Sequence, residues 1–299
     1  MLLSILERQS GLSRSYLERL ARRATHMYKT YDIPKRTGGW RRIEHPAREL
    51  KLLQRLLVLV VWQNLPVHPR VFSYRHGVSL RQHAEQHAAA NYLLRIDFRN
   101  FFPSITRLDL VRVLQESHDY VPIPLDQREQ AFIARVACRH DALTIGAPSS
   151  PCISNAVMFD LDAELEGIAH AASVTYSRYA DDLYFSTDHE NVLSSVHKNV
   201  KDLLDGWSSP TLEVNPKKTV YTSRKRRRMV TGVSLTSDRK ISLGRGRKRT
   251  IRAKVHRATE GHMSPEEMEQ LRGWIAWAES VEPEFVGRLR IRYSRCPIF

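Results

Sequence analysis

The chain runs to 299 residues, long enough to bury one large core or two to three smaller ones. Its 47 Lys and Arg against 32 Asp and Glu leave a net charge of +15 and a pI near 10.0, which points to a polyanionic partner, nucleic acid before membrane. The longest apolar run, 56–62, is far short of the roughly 20 residues of a membrane span, no signal-peptide pattern opens the chain, and Cys138, Cys152 and Cys296 lack metal-type spacing, as suits a reducing cytoplasm.

Residues 1–30 carry apolar positions at helical spacing, Leu3, Ile5, Leu6, then Leu17, Leu20 and Ala21, interrupted near Gly11, where Ser13 or Ser15 can cap a second helix. Such a pair reads first as a packing element and second as a helix-turn-helix DNA reader, with Arg14, Arg19, Arg22 and Arg23 available for phosphates. Next, Tyr31-Asp32-Ile33-Pro34-Lys35-Arg36-Thr37-Gly38-Gly39-Trp40-Arg41-Arg42-Ile43 predicts a basic β-hairpin around a Gly-Gly turn. Lys35 offers a point charge there and Arg41 a planar fork, two chemistries suited to phosphate oxygens. An apolar-rich helix over 49–63 comes after it and stops at Pro66.

The run Leu93-Leu94-Arg95-Ile96-Asp97-Phe98 reads as a buried strand that delivers Asp97 at its end, ahead of Asn100-Phe101-Phe102-Pro103. Gly146-Ala147-Pro148-Ser149-Ser150-Pro151 forms a loop of small residues that enters a helix running to about Ile168. Then comes Thr175-Tyr176-Ser177-Arg178-Tyr179-Ala180-Asp181-Asp182-Leu183-Tyr184-Phe185-Ser186, strand, tight turn and strand. Two adjacent carboxylates between runs that want burial repel one another, and a cation, magnesium by its preference for hard oxygen, would neutralise them. The bland alternative is a polar hairpin tip.

After Asn215-Pro216-Lys217-Lys218-Thr219 a short strand starts at Val220, and Val230-Thr231-Gly232-Val233 opens another strand pair before a helical C-terminus, where Met268, Leu271, Trp274, Ile275 and Trp277 look like core. Between residues 217 and 257 the chain holds 16 Lys and Arg against one acid, Asp238. A block so one-sided reads as a nucleic-acid face, with a solvated charge run as the alternative.

In this order the pieces resemble the reverse transcriptases, and among them the bacterial retron type. The resemblance covers roughly residues 30–295 and implies an α+β right-hand polymerase with fingers, a palm of antiparallel sheet backed by helices, and a helical thumb. The expected divisions are N-terminal helices and fingers over 1–92, the first catalytic palm strand over 93–105, a fingers/palm return over 106–148, the palm with the acidic hairpin over 149–227, and an RNA-binding thumb over 228–299. It implies that Asp97 and Asp181 hold two Mg2+ ions while Asp182 completes the carboxylate cluster. Metals about 3.5–4 Å apart polarise the attacking hydroxyl and steady the departing pyrophosphate. Phe102, five residues after Asp97, matches the steric gate that rejects a ribose 2′-OH. Lys35 and Arg41 match the residues that hold the dNTP triphosphate, Lys218 a lysine that protonates pyrophosphate, and Gly146 with Ser150-Pro151 the floor of the nucleotide pocket. Ile145 stands where many relatives carry glutamine, which removes one contact to the sugar.

Two elements resemble retron signatures: His83-Ala84-Glu85-Gln86-His87, with His83 in place of asparagine, and Val230-Thr231-Gly232 at the start of the thumb. The basic residues Arg224, Lys225, Arg226, Arg227, Arg228, Arg245, Arg247, Lys248 and Arg249, with Thr231 and Gly232, are the candidate RNA contacts. The implied activity is RNA-directed DNA synthesis on a cognate structured non-coding RNA, primed from a 2′-OH, in antiphage defence, with dNTPs as substrates. The implied partners are that RNA and its DNA product, an effector protein encoded nearby and an RNase H supplied in trans, with no membrane, in the bacterial cytoplasm. Rival readings are a group II intron-like, diversity-generating or abortive-infection reverse transcriptase, and, in another class, a non-catalytic RNA-binding scaffold.

Overall fold

The computed structural model describes residues 1–35 and 38–299, so Arg36 and Thr37 of the basic hairpin lie outside the described residues. Helices α1 (Leu2–Ser10) and α2 (Arg14–Arg23) meet at Gly11, which takes a left-handed φ of 70°, and Ser13 caps α2 by accepting from the Tyr16 N–H. Their Leu2, Leu6, Leu17 and Leu20 are buried in the large core, so the pair is a packing element. Strands β1 (Tyr28–Pro34) and β2 (Trp40–Pro46) form the hairpin, in register from Tyr28 opposite Pro46 to Pro34 opposite Trp40. Helix α3 (Arg48–Val60) buries Leu50, Leu53, Leu56 and Leu57, and α4 (Leu80–Ala88) starts at a Ser79–Gln82 capping box.

Strand β3 (Tyr92–Arg99) is the centre of the main sheet, and α5 (Phe101–Ser104), α6 (Arg107–Glu116) and α7 (Gln127–Ala137) come next in the chain. The single helix expected from Ser150 to about Ile168 is two, α8 (Ser150–Val157) and α9 (Phe159–Ala171), broken at the fully buried Met158. The break gives α9 its own acidic first turn, Asp160 and Asp162, which suits a helix N-terminus. Strands β4 (Thr175–Tyr179) and β5 (Asp182–Thr187) form the acidic hairpin, and α10 (Val192–Gly206) backs the sheet. Short strands β6 (Glu213–Val214) and β7 (Val220–Ser223) both pair with β3, giving an antiparallel order β4-β5-β3-β6 with β7 beside the start of β3.

Beyond it, β8 (Arg228–Val230), β9 (Val233–Leu235) and β10 (Ile241–Ser242) make a small sheet, and α11 (Arg245–Thr259), α12 (Pro265–Val281) and α13 (Pro283–Arg292) close the chain. The β8–β9 turn is two residues, Thr231 and Gly232, both at positive φ, as a tight hairpin of this hand requires. Of the expected C-terminal core, Leu271 and Ile275 are buried, while Met268, Trp274 and Trp277 pack around its edge.

Because side chains alternate across a strand, β3 faces two cores. Leu94, Ile96 and Phe98 join the large core with α1–α3 and α6–α10; Leu93 joins a second core with Tyr184, Ala84 of α4 and the residues of β8–β10 and α11–α13. Asp97 sits on the same face as Leu93, at the end of the strand where that second core gives way to solvent.

Candidate active site

Alternation along β3 and the register of the sheet bring the carboxylates together. Asp97 lies directly opposite Asp182 across the β3–β5 ladder, and the Phe98 N–H donates to the Asp181 carbonyl at 3.0 Å. Asp97 is 5% exposed and its carboxylate accepts both hydrogen bonds of the Lys218 ammonium, at 2.9 and 2.8 Å. Asn215, at the β6–β7 turn, adds its backbone N–H to the Asp97 carbonyl at 2.8 Å. Asp182 accepts from the Tyr184 hydroxyl at 3.3 Å and lies 3.9 Å from Arg95.

Burial, and then the neighbouring carboxylates, push the charges of this group uphill. The Asp182 carboxyl rises to about 6, first by burial and then by the Asp181 charge; that of Asp181 also rises, by burial and by Asp97, while Lys218 and Arg41 draw it back. Arg41 of β2 therefore acts on Asp181 electrostatically. Lys35 is exposed at the hairpin end, its backbone N–H paired with the Gly39 carbonyl at 2.9 Å, and its ammonium makes no contact among the described residues.

Among the described residues no three His, Cys, Asp or Glu side chains form a ready-made metal cluster. The carboxylates nonetheless fit divalent cations: hard oxygen donors at the same end of two paired strands, with two of the acids destabilised as anions. Asp97, Asp181 and Asp182 are the residues that would hold such ions.

The acidic turn is held in an unfavourable shape. Ala180 takes a φ of 55° at the first position of a two-residue turn, where glycine is the usual occupant. Its N–H donates to the Ser73 hydroxyl at 2.8 Å, and its carbonyl accepts from Arg178 at 3.1 Å. Arg178 is fully buried and forks onto the equally buried Asp162 at 2.7 and 2.6 Å, and Asp162 also accepts the Tyr176 hydroxyl at 2.7 Å. This pair escapes motif reading. Its one signal is an arginine at an inward position of β4, on the face that buries Tyr176.

On the opposite face of the same strand, the two retron-like elements meet. Ser177 contacts His83 and His87 at 2.7 Å each, and His87 reaches Ser186 at 2.8 Å. The His83 ring stacks on Phe72 with centroids 4.9 Å apart and contacts the Thr231 hydroxyl at 3.4 Å. Burial drives the His83 pKa down to about 3 and that of His87 well below the usual value, so both rings are neutral. The Thr231 N–H donates to Tyr184 at 3.2 Å, and Tyr184 donates to Asp182. A chain of contacts thus runs from the Val-Thr-Gly turn to a candidate metal-binding carboxylate.

The other candidate site residues have the following surroundings. Phe102 is half-buried beside Phe101, its centroid 5.4 Å away. Gly146 is pressed against the β1–β2 hairpin: at a φ of +123°, any Cβ there would lie 2.8 Å from the Glu44 carbonyl oxygen, and the Ile145 carbonyl accepts the Glu44 N–H at 2.8 Å. Three of the candidate RNA contacts are engaged within the chain. Arg228 is 1% exposed because its guanidinium satisfies the Ala90 and Thr236 carbonyls. Lys248 is committed to Glu282 at 2.5 Å, which itself caps Leu243. Thr231 turns inward, toward His83 and Tyr184. Arg247 binds the Gly232 carbonyl and lies over Trp277, and Arg224 is exposed while holding Asn91 and Ser237. Lys225, Arg226, Arg227, Arg245 and Arg249 remain exposed.

Residues 33–235 match the family model described as reverse transcriptase (RNA-dependent DNA polymerase). The chain is 39% identical to the Retron Ec83 reverse transcriptase of Escherichia coli, over 93% of this chain and 90% of that one. It is 30% identical to the Retron Mx65 reverse transcriptase of Myxococcus xanthus, over 94% of this chain and 68% of that one. Among solved structures, apo telomerase from Candida tropicalis superposes with a TM-score of 0.51 at 12% identity, over 90% of this chain and 58% of the telomerase, a likeness of fold.

Proposed function

The chain belongs to the retron-type reverse transcriptases, RNA-directed DNA polymerases of right-hand fold, and on that premise we propose a specific division of labour and a specific substrate. The substrate is a cognate structured non-coding RNA, primed by one of its own 2′-hydroxyls and copied into DNA from dNTPs. The biological setting is antiphage defence in the bacterial cytoplasm, with a nearby effector protein and an RNase H acting in trans. No helix of the described residues is long and apolar enough to cross a membrane.

The observation that carries the catalytic reading is the Asp97–Asp182 pairing at one end of the central strands, with Asp181 at the adjoining turn. Two Mg2+ ions held there would polarise the attacking hydroxyl and stabilise the oxygens of the leaving pyrophosphate. Around that chemistry this chain's own residues orient and exclude. Lys35 and Arg41 lean over the triphosphate from the fingers; Arg41 already biases Asp181 electrostatically. Phe102 supplies the wall that a 2′-OH would strike. Gly146, by fitting under Glu44, keeps the pocket floor tied to the hairpin. Lys218 gives a proton to the departing pyrophosphate, a reading its bond to Asp97 supports by holding it at the carboxylates. The exposed cations Lys225, Arg226, Arg227, Arg245 and Arg249 grip RNA phosphates without reading sequence. Fingers over 1–92 and 106–148, palm over 93–105 and 149–227 and thumb over 228–299 carry these roles.

Primer extension on an RNA template with Mg2+ and dNTPs tests the reading. Wild type makes labelled DNA and Asp181→Asn makes none while binding RNA with unchanged affinity; product from Asp181→Asn would overturn the assignment.

A further inference from the structure

The outer base of the fingers hairpin holds an open cavity of about 530 Å³, lined by His26, Lys29, His45, Arg48 and Lys51, with Met27, Tyr28, Pro46 and Ala47 completing the wall. No carboxylate lines it. Lys29 and His45 face each other across the β1–β2 ladder, which sets both side chains at the cavity. The Lys51 ammonium lies 3.5 Å from His45 Nε2, and among the described residues none of Lys29, Arg48 or Lys51 has an acidic partner. Helix α3 starts at the same cavity, at Ala47, with no side-chain cap, so its first N–H groups face the cavity wall, and Glu49 in the first turn offsets part of their positive potential without lining the cavity. Several basic side chains of this molecule are matched by a carboxylate, Lys218 to Asp97, Arg139 to Glu44, Lys248 to Glu282. Here they converge on open space.

We propose that this cavity binds a phosphate group of an RNA strand outside the catalytic cleft. The chemistry selects a phosphate: a compact anion, several point-charge donors and a helix start. Position selects RNA over a free anion. The cavity lies at the Tyr28–Pro46 end of the hairpin, and Arg41, which acts on Asp181, lies near the other. Six residues of strand at ~3.3 Å each separate these ends by roughly 20 Å, so a strand tracking along the hairpin meets positive charge at both. The inference rests on the RNA-copying reading and adds a contact site to it.

The test uses the whole protein, an unstructured RNA oligonucleotide and a labelled DNA primer. Arg48→Ala/Lys51→Ala removes two cations from the cavity, and both positions are helical, so alanine preserves the fold. Arg22→Ala/Arg23→Ala removes the same charge from exposed positions at the end of α2 and serves as the match. The cavity variant should bind RNA several-fold more weakly, and its slope of log affinity against log salt should fall by about 0.7, the contribution of one single-strand phosphate contact. The α2 variant should keep the wild-type slope. Equal losses in the two variants, or no loss in either, overturn the proposal. Thermal stabilisation of wild type, but not of the cavity variant, by inorganic phosphate, with RNA slopes unmoved, would assign the site to a free anion and also overturn it. Primer extension by wild type separates the two readings: no DNA defeats the polymerase reading, whereas DNA with an unmoved slope defeats only this one.

Discussion

Replacing Asp162 by alanine strips the counter-charge from Arg178, a guanidinium with no exposed surface beneath the acidic turn. Breaking a buried pair by removing one partner costs about 3–5 kcal/mol, because the remaining charge is left in a low-dielectric site. Against a total stability of about 5–15 kcal/mol this is a large share, and for a chain this long it lowers the melting temperature by roughly 6–10 °C. Asp162→Asn should lose nearly as much, since it keeps the shape and an acceptor for Tyr176 but not the charge. Converting both partners to apolar residues, Asp162→Leu with Arg178→Met, should recover much of the loss in urea or thermal unfolding, although the Ala180 carbonyl then loses its donor and turnover stays low. If Asp162→Asn unfolds within about 1 kcal/mol of wild type, the turn is held by something other than this pair and the reasoning fails.

Tyr184→Phe removes the hydroxyl that links the Thr231 N–H to Asp182 and should raise the Mg2+ concentration needed for half-maximal extension several-fold, with RNA affinity unchanged; an unmoved Mg2+ curve refutes the linkage. The buried histidines set a pH dependence. With a folded pKa of about 3 for His83, below the usual value of 6.5, the unfolded chain takes up the proton first, so the stabilisation is full above about 6.5 and drains as pH falls toward 3. Urea midpoints measured across that window should drop, and less steeply in His83→Asn. Phe102→Ala should admit ribonucleotides in single-nucleotide incorporation; an unchanged sugar preference would show that the gate lies elsewhere.

Much of this architecture is legible in residue patterns, and the exceptions have a common cause. Asp97 and the Tyr-Ala-Asp-Asp turn are readable because alternation along a strand and the chemistry of adjacent acids are local properties. The break at Met158 is not, because apolar spacing continues through it and only burial of that side chain marks the corner. Arg178 finds its partner 16 residues upstream on another element, and Thr231 meets His83 across 148 positions, so neither contact leaves a trace in spacing. The same applies to Arg228 and Lys248, which look like RNA contacts in a basic block until their carbonyl and carboxylate partners are in view. Charge counts locate a block; only packing says which members face solvent.

The position of α4 bears on how such enzymes can be recombined. That helix precedes the central strand in the chain, yet Ala84 and Ala88 are interred with Leu271, Phe285 and Val286 of the last two helices. A chimaera that imports the C-terminal quarter of a relative would inherit half a seam, with the neutral His83 imidazole and Tyr184 pressed against foreign side chains. Grafts that exchange 228–299 should therefore carry 80–88 along with it.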